Sequence, residues 1–147
     1  MKLDVVLRVV TKLMLPFMLV FAVYVQFHGD YGPGGGFQAG VIIASAVILY
    51  ALIFGMDAAR EAVPAWFVRA GSAIGVLIYG GTGFVTWLLG GNFLSYDMLD
   101  PESTHHAGQH LGILLVELGV LTTVFSVMVV IFYTFASRAP DIPEGEW

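Results

Sequence analysis

Glu117 is an acidic side chain set in the middle of an apolar run, GILLVELGVLTTV. An acid at such a depth in a membrane helix costs on the order of 2.5–3.5 kcal/mol on insertion scales, so it must face protein or water. His106, His110 and Glu117 fall on one stripe of that helix, about 40° wide at 100° per residue. His110 and Glu117 stand roughly 10 Å apart along its axis. A polar line that enters from one end and stops at a buried carboxyl is what half of a proton or cation path looks like. The bland alternative is a buried contact, with the acid hydrogen-bonded to a neighbouring helix to hold an assembly together.

Other residues compete for a chemical role. Lys12 lies far enough into the first apolar run to serve as a charge partner for a buried acid, although a lysine there can also extend its stem and hold its ammonium at the headgroups. His106 and His110 have the i, i+4 spacing that brings two imidazoles together. With His28 and His105 they raise the question of a metal or haem. A haem bundle needs paired histidines within its spans, and these lie at or above an interface, so neither metal nor cofactor is expected. The chain has no cysteine, which excludes disulfides, thiolate zinc sites and iron–sulfur clusters.

The elements that must position these residues are membrane helices. Of the 147 residues 58% are hydrophobic and 12% charged, with a mean hydropathy of +0.84, far from the roughly 45–50% apolar and about 25% charged of soluble domains. Apolar runs of the length a bilayer demands predict an all-α membrane protein, a single domain over residues 1–147, with four transmembrane helices at about 8–27, 37–54, 65–89 and 108–135. MDAAREAVP, after the second span, reads as a short loop. Asp100 and Pro101 stand in the order of an N-cap and first helical position, and the chain closes on an extended tail, RAPDIPEGEW. The basic residues Lys2, Arg8, Lys12, Arg60, Arg69 and Arg138 all fall at one end of this arrangement. By the positive-inside rule both termini are then cytoplasmic and the first and third loops face outward. No catalytic core and no nucleic-acid partner are expected.

Glycines mark where these helices must come close. Gly71 and Gly75 form a GxxxG pair, and Gly36, Gly40 and Ala44 repeat the spacing on the second span. Such spacing lets helix backbones pack in lipid, within the chain or against another subunit. Between the first two spans runs HGDYGPGGGFQAG, with Pro33, Gly34, Gly35 and Gly36 at its centre. Exposed N–H groups at the start of a helix could cradle an anion, or the segment could dip into a protein-lined cavity, but no Lys or Arg lies in this loop, and a tight turn against a partner subunit is the favoured reading.

The run from His28 through PGGGFQAG, leading into the small-residue helix GVIIASAVILYAL, resembles the B subunit of the multisubunit Mrp/Mnh-type sodium/proton antiporters. The likeness covers nearly the whole chain, down to an acid followed by Leu118, Gly119 and Val120. Glu117 stands where the family often carries Asp, which keeps the charge and lengthens the arm. The resemblance implies an accessory subunit, multi-pass in the cell (inner) membrane. Its partners would be the other subunits of an antiporter complex that exchanges Na⁺ for H⁺. A related domain occurs in hydrogenase-type and complex I-like redox pumps, and the equivalent subunit of such a machine is the alternative.

Overall fold

The computed structural model describes residues 3–29, 31–100 and 107–138. His105, His106, Pro101, Lys2 and the tail from 139 lie outside the described residues. Among the described residues four helices are long and apolar enough to cross a membrane: α1 (Leu3–His28), α2 (Gly36–Phe54), α4 (Ala65–Leu88) and α5 (Ala107–Ala136). Between them lie a seven-residue helix, α3 (Met56–Ala62), and a 3₁₀ turn at Tyr96–Leu99. Pro16 sits inside α1 without ending it.

Packing centres on α5, which lies against both α2 and α4, while α1 packs chiefly on α2. The order across the layer is therefore α1, α2, α5, α4. Much of the outer surface of α1 is exposed apolar side chain, including Val9, Leu13, Phe17 and Val20, as lipid or a neighbouring subunit requires.

Small residues set the close approaches. A Cβ on Gly40 would lie 2.8 Å from the Leu121 carbonyl oxygen, and one on Gly36 would run into the carbonyl of Glu117. On the opposite face of α5, a Cβ on Gly75 would lie 2.6 Å from the Gly119 oxygen, and one on Gly71 would meet the Ser126 hydroxyl. Both glycine pairs thus pack α2 and α4 onto α5 of this same chain. Larger side chains would separate the helices and forfeit the dispersion contacts that hold them in lipid.

The segment read from its polarity as a loop, MDAAREAVP, instead forms α3. Gly55, at φ 96°, turns the chain out of α2, and the Met, Ala, Arg and Glu that follow are good helix formers. Tertiary contacts then hold this short helix: Ala59 is fully buried, and the Tyr133 hydroxyl lies 3.0 Å from the carbonyls of both Ala59 and Val63, where it donates.

The loop after α4 is also built rather than loose. Thr86 accepts a hydrogen bond from the Leu94 amide at 3.0 Å, fixing Leu94 at φ 64°. Tyr96 packs where Gly108 and Gly112 leave room on α5. Burial first, and Tyr79 second, push the Tyr96 phenol above its ordinary value, so it stays protonated through the neutral range.

Candidate functional site

The carboxyl of Glu117 meets the end of α1. The Gln26 side-chain amide donates to Glu117 Oε2 at 3.2 Å, and Gln26 itself is only 3% exposed. Gln26 Oε1 is buried and has no hydrogen-bond partner among the described residues. A buried carboxamide oxygen needs a partner, since leaving it without one costs about 1–3 kcal/mol.

The glycine loop closes over the same carboxyl. After α1 ends, the amides of Tyr31 and Gly32 return to the His28 carbonyl and the Gly35 amide to that of Val25, at 3.0–3.1 Å. Those bonds satisfy α1's last carbonyls and fold the loop back onto its own helix. Gly35 then starts α2 from φ 110°, ψ −175°, a region open essentially to glycine alone. A Cβ on Gly35 would stand 2.8 Å from Glu117 Oε1, and one on Gly29 would meet the same oxygen. The turn expected against a partner subunit thus packs within this chain, and what it packs against is the acid.

A cavity of about 190 Å³ opens beside the pair, lined by Gln26, Phe27, Tyr31, His110, Ile113, Leu114 and Glu117. His110 is exposed and stacks on Tyr31, ring centres 6.4 Å apart. One wall is therefore polar from His110 inward to Glu117 and Gln26, and the other is aliphatic and aromatic. Space of this size holds several waters, and the wall supplies the polar partners they need.

Not every sequence candidate comes to this place. Lys12 has its ammonium 5.5 Å from the centre of the Phe54 ring, with the Arg8 guanidinium 5.9 Å from the same ring. That puts Lys12 about 14 residues, roughly 21 Å, down α1 from Gln26, and it is not brought together with Glu117. His106 lies outside the described residues. His28 stacks on Tyr24 one turn earlier, at 5.3 Å, and among the described residues no three His, Asp or Glu side chains gather as metal ligands would.

Gln26 is the functional candidate that sequence reasoning missed. The signal was present: a carboxamide in the apolar run VYVQF is subject to the same desolvation argument that singles out Glu117. Only the fold of the loop brings Tyr31 over His110.

The comparisons with known proteins converge. Residues 6–130 match the family model described as a domain related to the MnhB subunit of Na⁺/H⁺ antiporter. Proteins named "Putative antiporter subunit mnhB2" from Staphylococcus aureus strains Newman and JH1 are 38% identical to this chain over 137 residues, covering 90% of this chain and 94% of the relative.

Proposed function

The chain belongs to the family of domains related to the MnhB subunit of Na⁺/H⁺ antiporters, and from that premise we propose that Glu117, Gln26 and the glycine loop form an outward-facing proton- or cation-handling site. As a subunit of an Mnh-type antiporter the chain is a transporter component in the membrane, not an enzyme. Its accessory part in the complex would be twofold: packing against other subunits through exposed apolar faces such as that of α1, and lining part of the ion path at Glu117.

The observation that carries this reading is the Gln26–Glu117 hydrogen bond inside a cavity open towards His110. A carboxylate accepts the Gln26 N–H. A protonated carboxyl needs an acceptor for its own O–H, and Gln26 Oε1 is a buried acceptor with none of its valences met among the described residues. A half-turn of the amide exchanges donor for acceptor, so one side chain can serve both protonation states. Gly29 and Gly35 leave the carboxyl space that a Cβ would take.

Orientation follows from charge. Arg8 and Lys12 on α1 share the Phe54 ring at the end of α2, Arg60 and Arg69 flank the start of α4, and Arg138 follows α5. All stand at one end, which the positive-inside rule makes cytoplasmic, leaving Glu117 nearer the outer side.

The test is Glu117→Gln in the intact complex, with Na⁺-driven proton movement measured in everted vesicles and subunit assembly read on a native gel. The expected result is loss of transport with assembly kept, and partial recovery in Glu117→Asp. Unchanged transport refutes the ion-path role, and loss of partner subunits would make Glu117 a buried contact instead.

A further inference from the structure

At the end of the helices opposite to Glu117, α3, α4 and α5 border a second, open cavity of about 400 Å³ whose lining includes Arg60, Arg69 and Arg138, all three exposed. Val68 and Val130 also line it, and no carboxylate is among its lining residues within the described part of the chain. Arg60 is held over the Tyr133 ring at 5.9 Å, and Tyr133 is itself fixed by donating to the Ala59 and Val63 carbonyls. Among the described residues none of the three guanidiniums is paired with an acid. The hydroxyls of Thr134 and Ser137 spend their protons on the Val130 and Thr134 carbonyls, so the guanidiniums are the free donors.

Three like charges in one cavity repel each other unless an anion sits among them. From that we propose that this cavity binds the phosphate of an anionic phospholipid headgroup in the leaflet on the side of the chain termini. Arginine forks match phosphate oxygens in geometry and charge, and a basic pocket between membrane helices suits a lipid head. The choice of lipid over a free anion rests on the place of the cavity, at the ends of the membrane-spanning α4 and α5. A soluble phosphate needs no such place, whereas the bilayer itself holds a lipid phosphate at this level. The positive-inside rule accounts for arginines on this side; it does not account for three of them lining one cavity.

The test titrates the purified, delipidated full chain with phosphatidylglycerol, phosphatidylcholine and inorganic phosphate, counting bound adducts by native mass spectrometry. Phosphatidylglycerol should bind best. Affinity should fall about fivefold in Arg138→Gln and roughly a hundredfold when Arg60, Arg69 and Arg138 are all changed to Gln, at about one charge's worth of attraction each. Phosphatidylcholine binding should be weak and unmoved by the same changes. Equal phosphatidylglycerol affinity in the wild type and the triple variant overturns the proposal. So does inorganic phosphate binding as tightly as the lipid through the same arginines, since that would assign the site to a soluble anion. Should the triple variant fail to fold, Arg138→Gln, beyond the last turn of α5, decides alone: unchanged affinity refutes the site.

Discussion

Three glycine-to-alanine changes separate the contact with Glu117 from backbone strain. Gly55 and Gly35 both hold positive φ, 96° and 110°, but a Cβ on Gly55 meets nothing within 4 Å, whereas one on Gly35 stands 2.8 Å from Glu117 Oε1. Gly29 has no such φ, and its Cβ would meet the same carboxyl oxygen as well as Gly35 Cα at 2.6 Å. Strain alone costs of order 1–3 kcal/mol, and both Gly35→Ala and Gly55→Ala should lose about that much stability. Only Gly29→Ala and Gly35→Ala displace the carboxyl from Gln26. Losing a hydrogen bond to a charged group is worth about 1.5–3 kcal/mol, so the correctly arranged site should be depleted about ten- to a hundredfold. The assay is Na⁺-driven proton movement in everted vesicles carrying the intact complex, normalised to assembled complex on a native gel. Gly29→Ala and Gly35→Ala should transport poorly and Gly55→Ala close to normally. Equal transport in Gly35→Ala and Gly55→Ala would refute the idea that the loop serves the acid.

Two further expectations concern the scaffold. Tyr133→Phe removes the hydroxyl shared by the Ala59 and Val63 carbonyls and should lower stability by about 1–3 kcal/mol, with faster hydrogen exchange confined to α3; exchange unchanged in α3 would contradict its tertiary origin. Gly36→Ala drives a methyl into the Glu117 carbonyl and should cost about 1–3 kcal/mol by overpacking, seen as a fall in thermal midpoint, whereas Gly80→Ala, with nothing within 4 Å, should leave it unmoved.

The spans and their small-residue contacts were legible because lipid imposes one strong rule, that apolar length must cover a helix whose backbone satisfies itself. Glu117 was legible for the same reason. What the sequence hid is that its two most telling features are one object. The glycine loop and Glu117 are more than 80 positions apart, and only the return of the loop onto α1, through the Gly35 amide and the Val25 carbonyl, lays Gly35 over α5. Gln26 was passed over because a single amide near a helix end resembles an interface residue; its burial at 3% is a tertiary fact. α3 was misread because polarity was weighed above propensity, although Met, Ala, Arg and Glu favour a helix once Tyr133 and Gly55 define its ends. Lys12 looked like a partner for the acid because both charges stand in apolar runs, and helix direction sends them to opposite ends.

The ion-path role proposed for Glu117 requires its carboxyl to change protonation as the complex works. Infrared difference spectroscopy of the reconstituted complex, on switching between proton-rich and Na⁺-rich medium, reads carboxyl protonation directly. A protonated-carboxyl C=O band present in the wild type and missing in Glu117→Gln is the predicted result. Difference spectra identical in the two would contradict it.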